Sequence, residues 1–260
     1  MPRTLLITGG GRGIGAAVAR LAHAQGYVVA LGYRSDHAAA ESTAAGVRAL
    51  GGRAVAIAAD VAAEAGVRHL FAEVDRLLPD APLAGLVNSA GISGPEGRIG
   101  NYAAPALLDL FAVNVVGTIL CSREAVRRMS TTTGGTGGVI INVSSMAATI
   151  GGRPGRSAYA ASKSAIDAFT VGLAKEVARD AIRVNAVRPG MTRTDMTDAA
   201  LSDPVRHRAL AQTIPMQRVA EAEEVAKPIL WLLSDEASFV SGALLDVSGG
   251  GFNLGSTPIP

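Results

Sequence analysis

Tyr159 and Lys163 are separated by Ala160-Ala161-Ser162. Residues i and i+4 of a helix share a face, so this spacing sets a phenol beside an ammonium group. That pairing has a chemical use. A phenol with a pKa of about 10 exchanges its proton poorly at neutral pH. A neighbouring cation favours the phenolate and lowers that value. A tyrosine so placed can pass a proton to a reacting oxygen or take one back. Alone, Tyr-x-x-x-Lys is most often a surface pair, so its meaning rests on its company.

A glycine-rich turn, Thr8-Gly9-Gly10-Gly11-Arg12-Gly13-Ile14-Gly15, lies near the start of the chain. Glycines permit a tight turn and let the backbone approach a pyrophosphate, while the following helix start offers free N–H groups. The spacing Gly9-x-x-x-Gly13-x-Gly15 departs from the common dinucleotide fingerprint, whereas Gly11-x-Gly13-x-x-Ala16 fits a looser form of it. The turn predicts dinucleotide binding through Gly9, Arg12, Gly13, Ile14 and Gly15. Nineteen residues beyond Gly15 (34 − 15) stands Arg34, within Leu31-Gly32-Tyr33-Arg34-Ser35-Asp36. NAD-specific sites place a carboxylate about 20 residues past the glycine turn. A guanidinium there suits a 2′-phosphate instead. Ser35 can add a hydroxyl donor, and Arg12 can approach from the other side. The predicted cofactor is therefore NADP(H), with NAD(H) as the alternative. In that alternative Asp36 would take the ribose, although Asp36-His37 reads better as the N-cap of the next helix.

The elements that must position these groups alternate regularly. Strands are predicted at Leu5–Thr8, Tyr27–Tyr33, Ala54–Ala59, Leu83–Val87, Val139–Val143, Ile182–Val187 and Ala243–Val247. Between them helices are predicted over Gly13–Gln25, Ala38–Leu50, the stretch of Val67 to Leu78, Pro105–Met129, Tyr159–Ala178 and Glu221–Leu233. Such alternation means a parallel sheet with right-handed crossovers, an α/β doubly wound fold. Asn88-Ser89-Ala90-Gly91, Ser144-Ser145 and Pro189-Gly190 then follow the fourth, fifth and sixth strands. All sit at the carboxyl edge, where such sheets bind ligands. Met191–Gln217 breaks the rhythm with weak periodicity and two prolines; it reads as a substrate lid, or else as an irregular insertion.

Composition narrows the classes. In 260 residues, 48% are hydrophobic and 18% charged, which suits one large core and excludes a disordered chain. The aromatic share is 4%, so close packing by small side chains is expected. Net charge is +2, with the basic residues scattered, and no nucleic-acid footprint is seen. Cys121 is the only cysteine. It allows no intrachain disulfide and no cysteine-built zinc site, and it is expected as buried filler. The longest uncharged stretch, Met129–Gly152, is rich in Thr, Gly and Ser, unlike a membrane span. The N-terminus lacks the pattern of a signal peptide. A cytoplasmic protein without membrane or nucleic-acid partners is expected.

Taken in order, Thr8-Gly9-x3-Gly13-x-Gly15, Asn88-Ser89-Ala90-Gly91, Asn114, Ser145, Tyr159-x3-Lys163 and Pro189-Gly190 resemble the motifs of the short-chain dehydrogenase/reductase family. The likeness runs from Thr4 to about Phe252. It implies a single Rossmann-type domain across residues 1–260, a three-layer sandwich with a seven-stranded parallel sheet, no metal, and a homotetramer. Residue by residue, it implies Tyr159 as the acid/base and Lys163 as the group that lowers its pKa and holds the nicotinamide ribose. Ser145 would hydrogen-bond the substrate oxygen, and Asn114 would hold a water linking Lys163 to solvent. Asp60 and Val61 would bracket the adenine; Asn88, Ala90 and Gly91 would line the cofactor; Pro189, Gly190 and the backbone near Thr192 would hold the carboxamide. The sequence departs from the pattern twice. Ser89 stands where a second Asn is usual, and Ser145 precedes Tyr159 by 14 positions (159 − 145), one more than is commonest. Ser144 would fit that spacing less well.

The resulting expectation is hydride transfer between nicotinamide and a carbonyl or secondary-alcohol substrate. A dinucleotide-binding regulator without turnover is the alternative, and the retained Ser145, Tyr159 and Lys163 set speaks against it. The larger epimerase and dehydratase branch would be expected to have a longer substrate region.

Overall fold

In the computed structural model the described residues are 2–251, so Phe252 lies outside them. β1 (Arg3–Thr8), β2 (Tyr27–Tyr33), β4 (Leu83–Asn88), β5 (Gly138–Val143) and β6 (Ile182–Pro189) are nearly continuous buried runs. Strands covered on both faces need such sequences. β3 (Ala54–Ala58) and β7 (Leu244–Val247) are less buried and form the two edges. Among the described residues the seven strands pair in the order β3-β2-β1-β4-β5-β6-β7, all parallel.

Register brings the functional ends level. Thr8 lies opposite Gly32 and Asn88, and Asn88 lies opposite Asn142. The order reverses between β1 and β4, which opens a crevice at their carboxyl ends.

Two cores cover the two faces. On one, α1 (Gly13–Ala22) and α10 (Ala222–Leu233) pack with α2 (His37–Ala49) through Ala17, Val18, Ala44, Val47, Val225 and Ile229. On the other, α3 (Glu64–Leu77) contributes Val67, Leu70 and the fully buried Phe71. Burying a side chain of that size contributes about 1.5–3 kcal/mol. The same layer holds α5 (Thr118–Met129) and α7 (Ser157–Glu176), with the single turn α6 (Ala147–Ile150) between them in sequence. Cys121 is buried there, and burial pushes its thiol pKa up to about 12, as expected for an inert filler.

Two regions differ from expectation. The irregular Met191–Gln217 segment holds two helices, α8 (Asp195–Leu201) and α9 (Pro204–Gln212). Caps rather than periodicity specify them. Thr194 and Thr197 close a capping box, and the Asp203 carboxylate accepts from Val205 and Arg206 N–H beside Pro204 at the helix start. The long helix expected at Pro105–Met129 is present, but in pieces. α4 (Ala104–Phe111) joins α5 through a wider π turn at Ala112–Gly117. A helical pattern in sequence does not distinguish such a turn from an α-helix.

The stretch Ala104–Met129 is long and apolar enough by composition to cross a membrane, the one such helix among the described residues. It also buries Asn114, Thr118, Ser122 and Glu124 against the domain. Its other face exposes Leu108, Phe111, Val116 and Ile119.

Candidate active site

The glycine turn connects β1 to α1. Gly9 has φ +65°, and a Cβ there would stand 2.9 Å from the Ala90 backbone. At Gly15 a Cβ would stand 2.5 Å from the Gly9 carbonyl oxygen. Only glycine fits either position without displacing main chain. Arg12 occupies the N-cap of α1 and makes no side-chain capping bond, so the helix presents open N–H groups to the crevice. Thr8 Oγ1 accepts from the Ser89 and Ala90 N–H groups at 3.2 Å each, tying the turn to the loop after β4.

A cavity of about 640 Å³ runs from this turn to the first turns of α7. Its lining includes Gly9, Arg12, Gly13, Ile14, Arg34 and Ser35 at one end. Asp60 and Val61 flank it, and Ala90 and Gly91 lie along its floor. At the other end stand Ser145, Tyr159 and Lys163, with Pro189, Gly190 and Thr192 beside them. The structure thus gathers sixteen of the nineteen sequence-predicted residues into one cavity.

Gly15, Asn88 and Asn114 are absent from the lining and act from behind it. Gly15 lets α1 approach the turn. Asn88 Nδ2 donates to Ser122 Oγ at 3.1 Å and Asn142 Oδ1 at 2.9 Å, below the sheet edge. Asn114 Oδ1 accepts from Ile92 N–H at 2.8 Å, and Nδ2 donates to the Ile92 carbonyl at 3.0 Å and Ser162 Oγ at 3.1 Å. Its amide therefore clamps the β4 loop to α7. Any water it holds must use the remaining acceptor site of Oδ1 or another atom, since both Nδ2 donors are engaged.

The two serines after β5 divide their work. Ser144 Oγ donates to the Lys163 carbonyl at 3.2 Å and points into the protein. Ser145 Oγ accepts from Ala147 N–H at 3.1 Å, and it lies close enough to the Tyr159 hydroxyl to pull the phenol's pKa down. Ser145, not Ser144, faces the phenol.

The electrostatics correct one expectation. Burial holds the Tyr159 pKa above that of an ordinary phenol, and Ser145 and Arg156 only partly offset it. Lys163 does not lower it here. Its Nζ lies 5.8 Å from the ring centroid and donates to the Val143 carbonyl at 2.8 Å. The i,i+4 spacing places the two groups on one face, yet cannot say which acceptor the flexible lysine takes. Burial pushes the Lys163 pKa down to about 8, against an opposing pull from Asp167.

Sequence reasoning left several lining residues unnamed. Ile92, Ser93 and Glu96 come from the loop after β4, directly beyond Gly91. Met191, Met196 and Arg206 come from the segment holding α8 and α9. Their place after strand ends was the available signal. The loop after β5 is clasped to the β4 loop: Tyr102 donates to the Gly155 carbonyl at 2.8 Å, and Arg156 pairs with Glu96 at 2.6 Å. No group of three or more metal-ligating side chains occurs among the described residues.

Comparisons with known proteins agree with this architecture. The family model described as enoyl-(acyl carrier protein) reductase matches residues 9–252. An uncharacterized oxidoreductase of Escherichia coli K12, YgfF, is 45% identical over 94% of this chain and 98% of its own. The human 3-oxoacyl-[acyl-carrier-protein] reductase is 36% identical over 96% of this chain and 98% of its own. The crystal structure of a short-chain dehydrogenase from Burkholderia cenocepacia in complex with NADP superposes with a TM-score of 0.86 at 35% identity, covering 96% of this chain and 97% of that one. With the glycine turn, the Ser145–Tyr159 contact and Lys163 converging at the edge of a seven-stranded parallel sheet, the chain belongs to the short-chain dehydrogenase/reductase family of oxidoreductases.

Proposed function

We propose that this chain is an NADP(H)-dependent carbonyl reductase and secondary-alcohol dehydrogenase. The observation that carries it is the Ser145–Tyr159 pair facing a cavity continuous with the glycine turn. The cavity fits a dinucleotide because Gly9 and Gly15 leave no room for a Cβ, and α1 opens without a cap. Backbone N–H groups around Arg12–Ile14 would hold the pyrophosphate, Asp60 and Val61 the adenine, and Arg34 with Ser35 the 2′-phosphate. Ala90 and Gly91 would border the ribose, above Asn88. Pro189, Gly190 and Thr192 would hold the carboxamide. When bound, the nicotinamide supplies or accepts the hydride.

The protein's own residues then handle the oxygen. Ser145 donates to the substrate oxygen, and Tyr159 gives it the proton during reduction or removes it during oxidation. Lys163 would leave the Val143 carbonyl to hold the ribose and steady the phenolate. The single catalytic domain spans 1–260, with α8 and α9 as its substrate lid.

The test is a panel of ketones, quinones, sugars and 3-oxoacyl thioesters, followed by NADPH absorbance at 340 nm. At least one carbonyl should drive NADPH oxidation. Tight NADPH binding without turnover of any would favour a silent regulator.

We also infer a cytoplasmic homotetramer. The apolar face of α4 and α5, with Leu108 70% and Val116 45% exposed, offers a self-complementary contact. The single cysteine suits a reducing compartment. Sedimentation at micromolar concentration should give four times the chain mass, and Val116→Glu should yield smaller species. A wild-type monomer overturns the assignment.

A further inference from the structure

Asp167 lies one turn beyond Lys163 on α7, i+4 along the same face. Its side chain is 11% exposed, yet it carries a charge. Buried carboxylates of this kind need partners. Asp167 Oδ2 accepts from Arg188 Nε at 2.9 Å. Oδ1 is buried and meets no hydrogen-bond partner among the described residues. Arg188 is itself only 16% exposed, and its Nη1 reaches Asp246 Oδ1 on β7 at 3.3 Å. It immediately precedes Pro189 and Gly190, which line the cavity. A chain of three charged side chains thus runs from the helix of Tyr159 and Lys163, through the end of β6, to the edge strand.

The neighbours of Lys163 leave Asp167 a special place. From β5 it meets the Val143 carbonyl, and from the loop after β4 it faces Gly91. The Asn114 amide stands across from it in the π turn and is neutral. On its own helix, Tyr159 lies 5.8 Å away at the ring and is a protonated phenol at neutral pH. Asp167 is the carboxylate whose field acts on the Lys163 ammonium. Arg188 on β6 and Asp246 on β7 lie beyond it, Arg188 with a positive charge that opposes the carboxylate's pull on the ammonium.

We propose that Asp167, held by Arg188, is a positioning residue that keeps the buried Lys163 ammonium charged and anchors its helix to the strand end at Pro189-Gly190. This rests on the reading that Lys163 serves the cofactor, but its test needs no turnover. An ammonium loses solvation on burial, and a nearby negative charge restores part of what is lost. The pair is too buried for solvent to screen it as it would a surface ion pair.

The chain contains three lysines, Lys163, Lys175 and Lys227, so carbon-13 labelling at lysine Cε yields three resolvable resonances. The Lys163 resonance, assigned through Lys163→Arg, is titrated by NMR in the wild type, Asp167→Asn and Arg188→Gln. In the wild type its midpoint should lie near 8. Asp167→Asn removes the attraction, so the midpoint should move to lower pH. Arg188→Gln keeps the carboxylate and removes an opposing positive charge, so it should move to higher pH. Both variants break the same ion pair, so a merely structural role would move the resonance the same way in each. NADPH affinity at pH 8, read by fluorescence, should fall on the order of tenfold in Asp167→Asn. Should Asp167→Asn fail to fold, Arg188→Gln alone decides by the sign of its shift. Unchanged midpoints, or shifts of one sign in both variants, overturn the proposal. Opposite shifts without any carbonyl reductase activity would leave it standing and sink the assigned function instead.

Discussion

Tyr159→Phe is expected to lower kcat by roughly a hundredfold to ten-thousandfold, the range typical of a lost general acid, while NADPH binds as in the wild type. The substitution removes one hydroxyl and keeps the ring in its seat beside Ser145 and Lys163. Among the described residues no other phenol lines the cavity near Ser145; Tyr33 lies at the far end, on β2. The pH dependence follows from the direction of the Tyr159 shift. Burial raises its pKa, so the phenol carries its proton through neutral pH. Carbonyl reduction needs that proton and should hold at neutral pH, then fall as pH rises through the Tyr159 pKa. Alcohol oxidation needs the phenolate and should rise over the same window. Profiles of kcat/KM measured in both directions check the sign. A Tyr159→Phe enzyme with near-normal kcat, or two profiles that move together, would place the proton on another group.

The parts of this site that were legible in the sequence are those set by local rules. Continuous apolar runs marked the strands, because burial on both faces demands them. The glycine turn was legible because backbone clearance at Gly9 and Gly15 excludes other residues. Asp36 was read correctly as a helix cap, and its carboxylate accepts from Ala39 N–H at 3.0 Å.

The parts not legible depend on distant partners or on a choice among acceptors. Lys163 takes the Val143 carbonyl, twenty residues away, in place of the phenol. Asp167 meets Arg188 across 21 positions, and neither residue belongs to a motif. Asn114 was singled out, but the clamp it forms on Ile92 spans 22 positions and appears only when the β4 loop is folded against α7. The helices α8 and α9 were missed because their hydrophobic spacing is weak; their caps, Thr194 and Asp203, were the readable signal.

Arg34→Ala is expected to weaken NADPH binding on the order of tenfold to a hundredfold and to leave NADH nearly unchanged. Arg34 follows β2, is exposed, and lines the cavity beside Ser35. Among the described residues no ion pair engages it, whereas its two rivals for the ribose end are already engaged. Arg12 Nη1 lies 3.3 Å from Asp195 and 3.6 Å from Asp36. Asp36 caps α2 through Ala39 N–H. A carboxylate spent on a helix cap and facing a guanidinium is poorly placed to accept from ribose hydroxyls, so the NAD reading loses its key acceptor. The Arg12 pairs are largely exposed, and such pairs contribute about 0–1 kcal/mol. They give way readily, so a phosphate dianion can draw Arg12 in as a second ligand. Each charge-assisted hydrogen bond contributes about 1.5–3 kcal/mol, or roughly tenfold to more than a hundredfold in affinity. Because NADH lacks the phosphate, the loss should fall on NADPH alone. The measurement is kcat/KM and dissociation constant with both cofactors, in the wild type and in Arg34→Ala. A wild type that favours NADH, or a variant that weakens both cofactors equally, would show that Arg34 does not read the phosphate. If Arg12→Ala alone carried the loss, the phosphate would sit within the glycine turn rather than at the end of β2.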